Sequence, residues 1–168
     1  MISLSQLNAV SDEEFVTTLG GIYEHSDWVP ARVLEQRPFP NSENLRLAMR
    51  QAVEDATDEE KLALIRAHPD LAGKLARAGA LTESSTREQA GLGLDRLSDA
   101  EYGMFSQKNG AYREKFGFPF IICARLTTKQ GVMEAFVKRL ENTREQEIPE
   151  ALRQIHEIGR LRLGDLIG

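Results

Sequence analysis

Phe118-Pro119-Phe120-Ile121-Ile122-Cys123-Ala124 is the one stretch that reads as a β-strand, and the fold class turns on it. Its aromatic and β-branched side chains favour extended backbone. Pro119, however, lacks the N–H that a central strand must donate, and no second run of this kind exists to pair with it. We therefore read the stretch as a buried extended connector. Without a ladder, its N–H and C=O groups must find other partners. A polar ligand is one source of partners, and the packing of neighbouring helices is the other.

Helix signals dominate on both sides of the connector. Ser11-x-x-Glu14 is a capping box before Phe15, Val16 and Leu19, and Gly20-Gly21 closes that helix. A short helix is expected over Trp28–Gln36, and a longer one over Glu43–Ala56 with Leu45, Ala48 and Val53 inward. Thr57-x-x-Glu60 caps the helix that carries Leu62 and Ile65 toward His68, and Leu71–Ala80 is helix-compatible. Ser85-x-x-Glu88 reads as a further capping box, opening a helix weakened by Gly91 and Gly93. Ser98-x-x-Glu101 opens a helix through Tyr102, Phe105, Tyr112 and Phe116, closed by Gly117. Thr128–Asn142 follows, with Val132, Phe136 and Leu140. Thr143 with Gln146 then opens a final helix to Ile167, where Pro149 demands either a start near Ile148 or a local distortion. With no repeat or linker-like run, the expectation is all-α: one domain, 1–168, a helical bundle of about six to eight helices.

Composition narrows the function classes. The chain has 168 residues, a net charge of −5 and a single cysteine, Cys123. The acidic balance argues against nucleic acid as the main partner, because phosphate binding needs a basic field. One cysteine within an apolar run is expected to be a buried thiol and excludes an internal disulfide. No leader and no apolar run long enough to span a bilayer is visible, so a cytoplasmic protein without a membrane partner is expected. The three histidines, His25, His68 and His156, show no metal-ligand spacing, and no phosphate loop or nucleophile elbow is present. The expectation is a site without metal or cofactor.

The polar equipment for such a site lies between His68 and Gln89. Pro69 pushes the residue before it out of the helical region, so the arriving helix stops at Ala67 and His68 sits at a bend. An imidazole titrates in the physiological range and suits proton transfer, although a histidine at a helix end also serves as a dipole partner or a surface residue. Glu88 offers a carboxylate, with capping as its alternative use. On the last helix, at ~100° per residue, Ile148, Leu152, Ile155 and Leu166 share a face into which Arg162 falls, whereas Arg160 points away. An arginine on a buried face needs a carboxylate, carbonyls or an anionic ligand.

Three segments then occur in order: His68-Pro69-Asp70-Leu71-Ala72-Gly73, Glu83-Ser84-Ser85-Thr86-Arg87-Glu88-Gln89, and Phe116-Gly117-Phe118-Pro119-Phe120-Ile121-Ile122-Cys123. With the ending from Asn142-Thr143-Arg144 through Leu161-Arg162-Leu163, they resemble the OHCU decarboxylase family of urate catabolism (OHCU is 2-oxo-4-hydroxy-4-carboxy-5-ureidoimidazoline). The resemblance covers most of the chain. It implies an all-helical homodimer that converts OHCU to (S)-allantoin and carbon dioxide without cofactor, the last of three steps from urate. It also implies His68 as the catalytic histidine and Glu88 as its acidic partner. Pro69, Ser85, Gln89 and the connector residues Phe120, Ile121 and Ile122 match substrate-contacting positions, and Arg162 matches a substrate-binding arginine. Ser84 competes with Ser85 for the matching serine. A lyase or hydrolase acting on another ureide, or a helical binding module without catalysis, are the competing readings.

Overall fold

Side-chain caps set most of the helix starts. In the computed structural model, which describes residues 1–168 apart from the side chain of Leu75, Ser11 accepts from the Glu14 amide to open α2 (Asp12–Leu19), after a short α1 (Leu4–Ala9). Ser3 and Gln6 form a full capping box on α1, a helix that six residues of weak periodicity did not announce. The Trp28–Gln36 expectation resolves into two pieces, α3 (Trp28–Ala31) and a 3-10 turn, Leu34–Gln36. Asn41 caps α4 (Ser42–Glu54), and Thr57 and Glu60 form the box that opens α5 (Asp58–Ala67). Only Lys74–Arg77, α6, is helical within the expected Leu71–Ala80. Among the described residues, extended pairing is confined to one bridge between Ile2 and Ile167. The chain is all-α.

The chain divides into two compact units, Met1–Ala67 with His156–Gly168, and His68–Ile155. In the first, Phe15, Leu19, Val29, Leu45, Met49 and Val53 form a buried apolar core. A polar chain crosses it. Tyr23 Oη lies 3.0 Å from His156 Nδ1, and His156 Nε2 lies 2.9 Å from Glu54 Oε1. Burial lowers the His156 pKa, only partly offset by Glu54, because desolvation disfavours the imidazolium.

The second unit holds α7 (Glu83–Gly91), α8 (Asp99–Phe116), α9 (Lys129–Arg139) and the first half of α10 (Arg144–Leu166). Gly117, at φ +79°, ends α8 in the left-handed conformation that glycine adopts without a Cβ penalty. Residues 119–123 then run outside any helix or strand ladder, into a 3-10 turn at Ala124–Leu126. Phe118 and Phe120 are fully buried: Phe120 stacks on Phe136 of α9 at 3.8 Å and meets Tyr112 of α8 edge-on at 5.3 Å. Cys123 is buried. The last helix runs from Arg144 with Pro149 inside it, so a start near Ile148 is excluded; Thr143 and Gln146 cap it reciprocally.

Under the connector lies a buried charge. Glu147, with no exposed surface, accepts from Arg139 Nε at 2.8 Å, from the Tyr112 hydroxyl at 2.5 Å and from Asn142 Nδ2 at 2.9 Å. Arg139 spends another donor on the Ile121 carbonyl at 2.6 Å and lies over the Phe120 ring at 4.4 Å. Burial, then the bond to Glu147, pushes the Tyr112 phenol well above its ordinary range, so it stays a donor.

Two outcomes follow from these networks. Glu147→Ala leaves the Arg139 charge buried and uncompensated; urea unfolding should show a loss of about 3–5 kcal/mol, partly recovered when Arg139→Met is added. For His156 the folded pKa lies below the unfolded value of 6.5, so its stabilising contribution is present above that value and is lost as pH falls through the folded pKa. Stability should therefore fall on acidification below pH 6.5, and His156→Gln should flatten that part of the profile.

Candidate active site

The site is built on a turn that the chain cannot form cheaply. α5 stops at Ala67, as the residue before Pro69 requires, and His68 is buried, at 6% exposure, rather than a surface residue. Four residues later Ala72 adopts φ +50°, the left-handed region that costs a residue with a Cβ. Gly73 follows where a Cβ would approach the Asp70 Cβ to 3.0 Å. The turn is held from outside. Gln89 Oε1 accepts from the Ala72 amide at 2.8 Å, and its Nε2 donates to the Asp70 carbonyl at 3.3 Å. Asn109 Nδ2 donates to the Leu71 carbonyl between them at 2.8 Å, and Arg113 Nε binds the Asp70 carboxylate at 3.0 Å.

The helix that supplies Gln89 starts earlier than the Ser85-x-x-Glu88 pattern indicates. Thr82 is the N-cap and accepts from the Ser85 amide, so the expected capping box at Ser85 and Glu88 does not form. Thr82 reaches that amide first, and Ser85 becomes the third residue of α7. The N-cap of α7 is thus Thr82, and Ser85 and Glu88 lie within the helix. Ser85, Glu88 and Gln89, at i, i+3 and i+4, lie on one face of α7. Ser85 and Gln89 are buried and Glu88 is half-buried. Hydroxyl, carboxylate and amide thus share the face that Gln89 pins to the His68 turn. α7 also packs against the Ala124–Leu126 turn, which brings the end of the connector to the same helix.

Along the connector, Phe120 and Ile121 are buried and Ile122 is half-buried. Its backbone partners come in part from helices: Arg139 takes the Ile121 carbonyl, and Gln154 Oε1 accepts from the Cys123 amide at 2.8 Å. Helix packing therefore supplies these two partners. Pro69 is half-buried beside His68. Arg162 belongs to the first unit, where it is buried as the helical face requires and Arg160 is exposed. Its Nη1 donates to Glu24 Oε2 at 2.7 Å and to the Gly21 carbonyl at 3.0 Å, so a buried ion pair meets its need for a carboxylate.

Asn109 and Arg139 are absent from the sequence-derived site. Both carried the signal that marked Arg162. Asn109 interrupts the stripe Phe105, Tyr112, Phe116, and Arg139 follows Val132 and Phe136 at helical spacing. Asn109 Oδ1 is buried and has no hydrogen-bond partner among the described residues, a state that costs about 1–3 kcal/mol. Among the described residues, no group of three or more His, Cys, Asp or Glu is placed to hold a metal ion, and no helix is long and apolar enough to cross a membrane.

Comparison with known proteins shows the family and the fold. The OHCU decarboxylase family model matches residues 8–164. A 2-oxo-4-hydroxy-4-carboxy-5-ureidoimidazoline decarboxylase of Haloferax volcanii is 40% identical over 98% of this chain and 95% of its own length. The crystal structure of an (S)-allantoin synthase matches the whole chain with a TM-score of 0.80 and 33% identity, the chain spanning 54% of that protein. A crystal structure of OHCU decarboxylase in the presence of (S)-allantoin shares the fold, with a TM-score of 0.68 over 94% of this chain at 23% identity. With nearly its full length matched by the family model and by a relative of this identity, the chain belongs to the OHCU decarboxylase family.

Proposed function

We propose that this protein is a carboxy-lyase that converts OHCU to (S)-allantoin and carbon dioxide, with His68 and Glu88 as its catalytic pair. The observation that carries the site assignment is the Gln89 brace, which sets one face of α7, with Ser85 and Glu88, against the turn bearing His68. Family membership supplies the substrate class. The proposed enzyme needs no cofactor and acts as a cytoplasmic homodimer.

The substrate carries a carboxylate and a hydroxyl on one ring carbon, beside a C=N bond. When the bond to the carboxylate breaks, its electron pair passes toward that C=N and carbon dioxide leaves. The hydroxyl carbon becomes a carbonyl as its proton passes to the nitrogen of the former C=N, and a second proton is delivered to one face of the ureido-bearing carbon. The ring is its own electron sink, so the protein must orient the carboxylate and manage two protons. His68 moves the proton, and Glu88 orients the imidazole or meets the hydroxyl. Ser85 and Pro69 border the ring. Gln89 contributes the amide hydrogen that its bond to the Asp70 carbonyl leaves over. Backbone groups of Phe120, Ile121 and Ile122 meet the ureido or carbonyl edge, Ile121 with the carbonyl lone pair that Arg139 does not use.

Urate oxidase and hydroxyisourate hydrolase generate OHCU in the cuvette, and circular dichroism follows optically active allantoin against the racemic spontaneous background. The wild type should give a rapid enantiospecific signal, and His68→Ala should lower kcat by ~10²–10⁴-fold with the helical spectrum intact. An unchanged rate of spontaneous decay with wild-type protein would move the assignment to another ureide. Arg162 is proposed as a substrate contact on the resemblance alone and is tested separately. Arg162→Lys keeps the charge near Glu24 but loses the planar fork; a raised KM with unchanged kcat is expected. Unchanged KM and kcat would leave Arg162 to its ion pair with Glu24.

A further inference from the structure

We propose that Asn109 is a positioning residue for the reaction: with Gln89, it fixes the turn that carries His68 by binding consecutive peptide groups. The inference rests on His68 as the proton-transfer residue. Three successive residues of the turn are each gripped by a side chain from a helix. Gln89 of α7 holds the Asp70 carbonyl and the Ala72 amide, and Asn109 of α8 holds the Leu71 carbonyl. Arg113, one helical turn beyond Asn109 on the same face of α8, holds the Asp70 side chain. The turn is strained at Ala72, so it keeps this geometry only where its surroundings over-determine it. Only Pro69 and Asp70 separate Leu71 from His68, and freeing the Leu71 carbonyl lets the turn relax and the imidazole shift.

The composition of α8 speaks for a role beyond packing. Position 109 lies in the buried stripe with Phe105, Tyr112 and Phe116, where an aliphatic side chain of similar volume would fill the space and favour the helix. Asn109 fills it with an amide whose oxygen has no hydrogen-bond partner among the described residues. What the amide supplies is its donor, and that donor is aimed at the Leu71 carbonyl. A misplacement of about 1 Å in a catalytic group costs on the order of 10²-fold in rate, the scale on which such a brace matters.

Two variants test the proposal on the full chain. In Asn109→Ala, kcat should fall by ~10–100-fold with KM little changed, in protein that remains folded by circular dichroism. In Asn109→Asp, the introduced carboxyl donates to the Leu71 carbonyl while protonated and repels it once ionised. Its kcat should therefore fall with rising pH along a limb that the wild type lacks. Wild-type kcat in folded Asn109→Ala would overturn the proposal. So would a loss of rate no larger than the loss of folded protein, or an Asn109→Asp profile that matches the wild type. The His68→Ala control separates the layers. If it turns over normally, the reading of the site fails; if it is inactive while Asn109→Ala is normal, only this inference fails.

Discussion

A carboxylate with no exposed surface is the constraint on which the second unit depends. Burying a carboxylate is costly unless its oxygens are supplied with donors, and Arg139, Tyr112 and Asn142 supply them to Glu147. The arrangement fixes more than a charge. Arg139 sits on α9, Tyr112 on α8 and Glu147 on α10, so one carboxylate ties three helices at a point. The guanidinium then has a donor left for the Ile121 carbonyl and a face left for the Phe120 ring. A connector without strand neighbours thus gains a fixed course from one side chain, where a sheet would have used a whole ladder. This buried pair gives the stretch geometric definition more than it gives the fold net stability, since a well-packed apolar replacement of both partners is often neutral.

The same economy recurs at the His68 turn, with neutral amides in place of charges. A turn with a left-handed alanine does not persist on local preference, and each of its peptide groups from Asp70 to Ala72 is answered by a side chain. Both anchoring helices present the anchoring residue on a buried face. Rigidity of this kind suits a reaction in which the substrate ring absorbs the electrons and the protein contributes placement.

Much of this was legible from residue order. The connector declared itself because Pro119 forbids a central strand, and the bend at His68 because Pro69 forbids a helical predecessor. Arg162 declared its burial through the stripe it shares with Leu152 and Ile155. The errors have a common cause in local competition. Ser85 and Glu88 have the spacing of a capping box, yet Thr82, three residues earlier, makes the same bond to the Ser85 amide and starts the helix sooner. Leu71–Ala80 has helical composition, but the braces on Asp70, Leu71 and Ala72 hold that stretch in a turn until Lys74. Asn109 and Arg139 are a different case. Each is a polar residue in an apolar stripe, the pattern that exposed Arg162, and the same test applied to every helix would have found them. Their partners would not have been found, because Leu71 and Ile121 lie on irregular backbone whose carbonyl directions no periodicity encodes.

The choice of amides next to His68 has an electrostatic consequence. A lysine or arginine donating to the Leu71 or Asp70 carbonyl would brace the turn as well, but it would add a positive charge near the imidazole and disfavour its protonated form. A carboxylate accepting from the Ala72 amide would do the opposite. Gln89 and Asn109 make the same bonds with no net charge. The ion pair of Asp70 with Arg113 is partly solvent-exposed and internally neutralised. The turn is therefore held in position without the braces themselves setting the charge state of the group it carries. Glu88 lies half-buried on the α7 face with Ser85 and Gln89, and it takes no part in these braces on the turn. A neutral brace can therefore change without altering the charge around His68, which an anchoring charge would not permit.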